Sequence, residues 1–237
     1  MCVTAHPDDE CFGFGGALAL AADHGIETYV LCLTDGQAAK NRGGANSGEA
    51  LGEMRRDEFR RSCEVLGVAQ YELMDLRDSQ LEFVDFPVAA GILVERIRRF
   101  RPDVVLTFGG DGGQNTHADH MMVSMLTTAA FHWAGQAKRY AGTGEPHQAK
   151  RLYYLTANSH LPDRPPAITM PWTVELDIRS VRERKSEAFR QHVSQAPLVE
   201  QTKEYFAKYG AQEFYALVAA TEPRPARVET DLFVGLS

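Results

Sequence analysis

The sequence predicts an α/β fold, a Rossmann-like three-layer αβα sandwich around a mainly parallel sheet. Strand-like and helix-like segments alternate from the first residues to about position 156, and parallel pairing needs crossover helices that cover both faces of a sheet. Two polar clusters, at residues 6–10 and 111–120, each follow an apolar run. Loops in that position, beyond the carboxyl ends of the strands, are where such folds gather ligands. Two stretches remote in sequence are therefore expected to meet at one site, within a single domain spanning 1–237.

Cys2–Ala5 reads as the end of a first strand, and Gly13–His24 carries small and apolar residues at helical density until Gly25 stops it. Glu27–Leu33 is β-branched and aromatic enough for a buried strand, closed by Thr34-Asp35-Gly36. Gln37–Gly48 is too small and polar to pack and predicts a mobile loop, the natural lid or specificity element. Glu49–Leu66 is an amphipathic helix ending at Gly67, and Tyr71–Leu76 the next strand. Pro87–Phe100 is a helix with proline in its first turn; Asp103–Phe108 is a strand of the continuous apolar kind found in parallel sheets. Ala118–Trp133 reads as helix, Arg151–Thr156 as strand and Leu161–Pro171 as a proline-rich connection. Thr173–Ile178 and Glu213–Val218 read as strands, Ser180–Val193 and Pro197–Lys208 as helices.

Net charge of −7 argues against a nucleic-acid partner, which would call for a basic patch to track phosphates. The four cysteines form no C-x-x-C pair and no dense framework, so reduced, packed thiols are expected. No run of about 18 apolar residues offers a membrane span, and no signal-peptide-like segment precedes His6, which predicts a cytoplasmic address. Only five residues lead into the first motif, short for a core strand, which suggests a start trimmed relative to the natural gene product.

The first polar cluster is Ala5-His6-Pro7-Asp8-Asp9-Glu10; the second runs from Asp111 to His120, with His117 and His120 three apart at a helix start and so on one face. Imidazole and carboxylate are ligands that zinc prefers, and a catalytic zinc keeps three protein ligands and one open position. Two histidines and one aspartate supply such a set.

His6-Pro7-Asp8-Asp9-Glu10 and His117-Ala118-Asp119-His120 resemble the H-P-D-D-E and H-x-D-H motifs of the LmbE-like, or GlcNAc-phosphatidylinositol deacetylase (PIG-L), family of zinc-dependent N-deacetylases. The resemblance continues through Thr34-Asp35-Gly36, Leu51-Gly52-Glu53-Met54-Arg55 with Glu58, Leu66-Gly67-Val68, Lys185 and Ala188 with His192-Val193-Ser194-Gln195, and Glu229 to Phe233. It covers nearly the whole chain, with Ala118 in place of the usual proline and Asn115 where some relatives carry tyrosine. It implies that His6, Asp9 and His120 bind zinc, Asp8 is the general base, a protonated His117 faces the reacting carbonyl, and Asp119 orients His117 or holds its proton. Arg55 and Asp78 match positions associated with holding the sugar. The implied reaction removes an N-acetyl group from an amino-sugar-type substrate and releases acetate; iron(II) or cobalt(II) suit the same ligands as Zn2+.

A metal-dependent phosphoesterase and a non-catalytic carbohydrate or nucleotide binder are the competing readings. The first would normally hold two ions, and only one ligand set is visible. Glu10 reads as a helix N-terminal carboxylate favoured by the dipole. His192 is divided evenly between supporting the site and packing a helix. His24, His132, His147 and His160 read as surface or packing residues, and Arg96, Arg98 and Arg99 as a solvated face. Gly13, Gly15 and Gly16 do not complete a dinucleotide fingerprint, since its third glycine falls at Leu18. The partner is thus a small N-acetylated sugar or glycoconjugate, its identity open among free sugars, thiol-precursor conjugates, chitin fragments and antibiotics; oligomeric state is open too, a homo-oligomer included.

Overall fold

The computed structural model describes residues 1–161, 168–224 and 227–235. Strands β1 (Cys2–Thr4), β2 (Tyr29–Thr34), β3 (Gln70–Leu76), β4 (Val104–Phe108) and β5 (Arg151–Thr156) are followed by β6 (Val174–Asp177) and β7 (Gln212–Ala220). They form one sheet in the order β3-β2-β1-β4-β5-β7-β6. β1 to β5 pair in parallel, whereas β7 is antiparallel to β5 and to β6. The predicted mainly parallel sheet holds through β5; the antiparallel end arises because β7 inserts between β5 and β6, a pairing that hydrophobic pattern does not encode.

The helices are α1 (Asp9–Phe12), α2 (Gly15–Asp23), α3 (Gly48–Leu66), α4 (Phe86–Phe100), α5 (Ala118–Ala134), α6 (Arg182–Arg190) and α7 (Ala196–Tyr209). α4 packs on α5, while α2, α3 and α6 pack on one another. The chain leaves β1 toward β2 and β3, then crosses back to β4 on the other side of β1, which with right-handed crossovers puts these two helix groups on opposite faces. Their ends follow local chemistry. The Ser47 hydroxyl accepts from Ala50 N–H at 3.0 Å to start α3, and Gly67 ends it at φ 77°. Asp85 caps α4 by accepting from Val88 N–H, with Pro87 in the first turn. The helix predicted over Gly13–His24 forms as α2, and the short turn α1, which the pattern does not announce, precedes it. The connection predicted over Leu161–Pro171 falls in its larger part outside the described residues.

The core joins Leu31 and Leu33 of the central sheet to Phe59, Leu66, Leu93 and Leu126 of the covering helices. All four cysteines are free and buried, as expected. His24, His132 and His160 are exposed, and His147 bonds the Pro102 carbonyl at 2.8 Å. No helix among the described residues is long and apolar enough to cross a membrane. The arginine cluster departs from expectation. Arg98 is buried and donates to the carbonyls of Ala134, Gln136, Arg139 and Tyr140. Its guanidinium satisfies orphan carbonyls at and beyond the end of α5, a tertiary role that a run of charges does not reveal. Arg96 and Arg99 clasp Glu72.

The start of α2 is fixed by Glu213 of β7. Its carboxylate accepts from Gly16 and Ala17 N–H at 2.7 and 2.9 Å, from Lys185 Nζ at 2.6 Å and from the Tyr215 hydroxyl at 2.7 Å. A Cβ on residue 16 would stand 2.7 Å from Glu213 Oε1 and 2.4 Å from Ile178, so glycine there permits close approach. Glu213→Ala leaves a buried ammonium unpaired. The expected loss is about 3–5 kcal/mol in stability, read by urea unfolding; an unchanged midpoint would reject the network as structural.

Candidate metal centre and active site

β1 and β4 are neighbours at the point where strand order reverses, and the loops beyond their carboxyl ends carry the two polar clusters. Residues 109–116 reach α5 through left-handed positions at Gly112, Gly113, Gln114 and Thr116. The turn brings His117 to the start of α5 and His120 one turn on, over β1.

His6 Nδ1 lies 3.2 Å from His120 Nε2, His120 Nε2 lies 3.2 Å from Asp9 Oδ1, and His6 Nδ1 lies 3.6 Å from Asp9 Oδ2. Ligands about 2.0–2.1 Å from a tetrahedral ion stand roughly 3.3 Å apart, so the three groups are spaced for one ion. The second ring nitrogens, and Asp9 Oδ2 on the His6 side, carry hydrogen bonds of their own. His120 Nδ1 donates to the Gly112 carbonyl at 2.9 Å. His6 Nε2 faces Asp78 Oδ1 at 3.0 Å and Asp119 Oδ2 at 3.2 Å. Asp9 Oδ2 accepts from the Ala5 and His6 N–H groups. His6 Nδ1 and His120 Nε2 are thereby the ring atoms turned toward the shared space.

The electrostatics agree with a cation site. Burial alone would depress the His6 imidazolium, yet the hydrogen bonds to Asp119 and Asp78 and the charge of Asp9 raise its pKa to about 10. Positive charge at this point is strongly favoured. Two other triads share the neighbourhood. His6, His117 and His120 offer nitrogens within 4.8 Å of one another, as His6, Asp78 and Asp119 offer theirs. The second is an orienting shell, since Asp119 also accepts from Ser79 N–H at 2.6 Å and Leu81 N–H at 3.1 Å.

A cleft of about 570 Å3 opens over the three groups, with His6, Asp8, Asp9, His117 and His120 in its lining. Asp8 reaches it without joining the triad; its Oδ2 is 3.0 Å from Arg55 Nη2. Burial pushes the Asp8 carboxyl up to about 6, against the pull of the Arg55 guanidinium. Burial, with the charges of His6 and His120, lowers the His117 pKa. His117 Nδ1 accepts from Asp119 N–H at 3.2 Å, which leaves the ring proton on Nε2.

Two placements differ from expectation. The Asp119 carboxylate contacts His6 and two backbone N–H groups, and only its backbone meets His117. Position 119 sits in the first turn of α5 with its side chain turned back toward the loop at Ser79–Leu81, away from the ring of 117. His117, whose Nδ1 accepts a backbone N–H, is placed to donate through Nε2 rather than as the expected imidazolium. Arg55 and Asp78 both line the cleft; there Arg55 donates to the Gly36 and Pro7 carbonyls and Asp8, and Asp78 accepts from His6 and Ala38 N–H.

The His192-Val193-Ser194-Gln195 segment is an anchor. His192 Nε2 bonds Glu10 Oε1 at 2.8 Å, Ser194 bonds Glu58 through N–H and hydroxyl at 2.7 Å each, and Gln195 bonds the Asn41 carbonyl at 3.2 Å. The Gln37–Gly48 loop is thus tied down at Asn41 and at Ala38. Glu10 lies in the first turn of α1, as expected of a helix N-terminal carboxylate, and is in addition wholly buried.

Residues 1–131 match the PIG-L family, described as GlcNAc-PI de-N-acetylase. This chain belongs to that family. The PIG-L relatives include the 1D-myo-inositol 2-acetamido-2-deoxy-alpha-D-glucopyranoside deacetylase of Rhodococcus jostii, 30% identical over all of this chain and 97% of its own length. Among solved structures, the N,N'-diacetylchitobiose deacetylase of Pyrococcus horikoshii aligns with a TM-score of 0.73 at 20% identity, over 92% of this chain and 82% of that one. A 4-carboxy-2-hydroxymuconate hydratase from Pseudomonas putida aligns with 0.72 at 21% identity, over 94% and 97%. These two likenesses show the PIG-L chain's fold; that one neighbour is a hydratase means the fold by itself does not select amide hydrolysis.

Proposed function

We propose that this chain is a zinc-dependent N-deacetylase that hydrolyses the acetamido group of an amino-sugar glycoside and releases acetate. The observation that carries the reading is the convergence of His6 Nδ1, His120 Nε2 and Asp9 within 3.2–3.6 Å, below a cleft that also holds Asp8 and His117. The Rhodococcus relative, named for a 2-acetamido-2-deoxy-glucopyranoside, supports the substrate class.

His6, Asp9 and His120 would hold the ion, which when bound lowers the pKa of water and polarises a carbonyl. Asp8 accepts the proton of the attacking water and passes it toward the leaving amine nitrogen. Arg55 keeps the Asp8 carboxylate in place and favours its ionised form. His117, neutral and with its proton on Nε2, donates a hydrogen bond to the oxygen on which negative charge grows. Asp119 and Asp78 hold the His6 ring; Asp119 is a positioning residue here.

Acetate release over a panel of N-acetylated glycosides by the zinc-loaded protein tests this directly. Turnover of one or more, with one ion per chain, is expected; phosphoester cleavage with two ions and no acetate would replace the reading. Within the active assay, His117→Ala is expected to lower kcat by about 10²–10³, the usual cost of losing one oxyanion donor, with metal content unchanged.

A further inference from the structure

Asp8 and Asp9 are adjacent in sequence, yet both line the cleft. Neighbouring side chains on an extended backbone point to opposite faces, so the chain must turn sharply between them. It does so by holding Asp8 at φ 118°, ψ −25°, a conformation that a residue with a side chain keeps only where its surroundings impose it.

The hydrogen bonds identify what imposes it. Asp8 N–H donates to Glu10 Oε2 at 2.9 Å, and the Asp8 carbonyl accepts from the Cys11 thiol at 3.0 Å and Phe12 N–H at 2.9 Å. The other oxygen of Glu10 accepts from His192 Nε2 at 2.8 Å and from the Ser62 hydroxyl. Glu10 and His192 are both fully buried, and neither lines the cleft. Although Glu10, Cys11 and His192 offer atoms within 4.8 Å of one another, the 2.8 Å contact is a hydrogen bond, tighter than the roughly 3.3 Å between two ligands of a tetrahedral ion. A buried carboxylate and imidazole are costly to maintain, and among the described residues the hydrogen bond that joins their side chains to a cleft residue is the one from the peptide nitrogen of Asp8.

We propose that Glu10 and His192 are a positioning pair for the base: they clamp the Asp8 peptide in its left-handed turn, so that two consecutive carboxylates face one cleft. The inference rests on the reading of Asp8 as the base. His192 is thereby assigned to the site rather than to helix packing.

The test compares Glu10→Ala, Glu10→Gln and His192→Gln, each alone and combined with Asp8→Asn, by kcat, KM and bound zinc. Glu10→Ala is expected to lower kcat about 10²-fold, the scale of an ångström-sized misplacement, with KM and zinc content little changed. Glu10→Gln retains an oxygen for the Asp8 N–H and is expected to recover most of that loss. In the Asp8→Asn background, none of the three should slow turnover further, because a pair that acts only through Asp8 has nothing left to position. Wild-type kcat in Glu10→Ala, or losses that add to those of Asp8→Asn, would overturn the proposal. Should Glu10→Ala fail to fold, Glu10→Gln and His192→Gln carry the same additivity comparison. Full activity in Asp8→Asn alone would sink the base assignment and the pair with it, whereas an inactive Asp8→Asn beside fully active Glu10 and His192 variants sinks the pair only.

Discussion

Asp8→Ala is expected to retain the ion and lose about 10²–10⁴ in kcat, the range general base catalysis supplies. The carboxylate stands in the cleft beside the triad and pairs with Arg55 at 3.0 Å, not with a triad atom. Removing it therefore deletes a proton acceptor without deleting a ligand. Burial has already pushed its carboxyl up to about 6, so at neutral pH it is ionised yet basic enough to take a proton from water, the compromise that a base operating near pH 7 requires. Because Arg55 is buried and would lose its acid partner, Asp8→Asn should accompany the alanine variant; the amide keeps volume and an acceptor oxygen but cannot take the proton. Acetate release with parallel metal analysis decides the matter. Unchanged kcat in both variants would remove Asp8 from the chemistry, and loss of metal in both would reclassify it as a ligand.

The part of this architecture written in local pattern was readable in advance. Continuous apolar runs such as Val104–Phe108, alternating with amphipathic stretches such as Glu49–Leu66, dictate a parallel sheet with covered faces, and that sheet forces the loops after β1 and β4 together. Hence His6 and His120, 114 positions apart, were expected at one point and stand 3.2 Å from each other. What stayed hidden depends on which way a side chain turns after the fold has formed. Asp119 shares a helical turn with His117, yet its carboxylate faces His6 because Ser79 and Leu81 present two N–H groups there. Arg98 lies in a run of charges that looks solvated until the end of α5 supplies carbonyls for it. Arg55 carries a charge suited to a sugar, and the sequence holds no sign that it also pairs with Asp8. The Gln37–Gly48 loop, poor in apolar residues, looked untethered because its restraints come from Gln195 and Asp78, far along the chain.

His120→Ala is expected to cost the ion itself, and with it all turnover above background. Three protein ligands are the minimum that a catalytic zinc site keeps, and Nε2 of His120 is the atom closest to both of its companions, 3.2 Å from His6 Nδ1 and 3.2 Å from Asp9 Oδ1. The ring is also pre-set: it stacks on Phe108 with centroids 4.1 Å apart, and its Nδ1 is spent on Gly112. Among the described residues, His117 is the neighbour that could swing in, since it already offers a nitrogen within 4.8 Å of those of His6 and His120. Asp119→Asn provides the graded comparison, since it leaves every ligand in place and weakens only the carboxylate that orients His6 through Nε2. Losing such an outer partner typically costs about 10–100-fold in metal affinity, so His120→Ala should exceed that range and Asp119→Asn fall within it. Metal retained after dialysis, titrated against a competing chelator, ranks the two. If His120→Ala binds zinc as tightly as Asp119→Asn does, then His120 is not a ligand, and the ion would have to be assigned to a site that includes His117 instead.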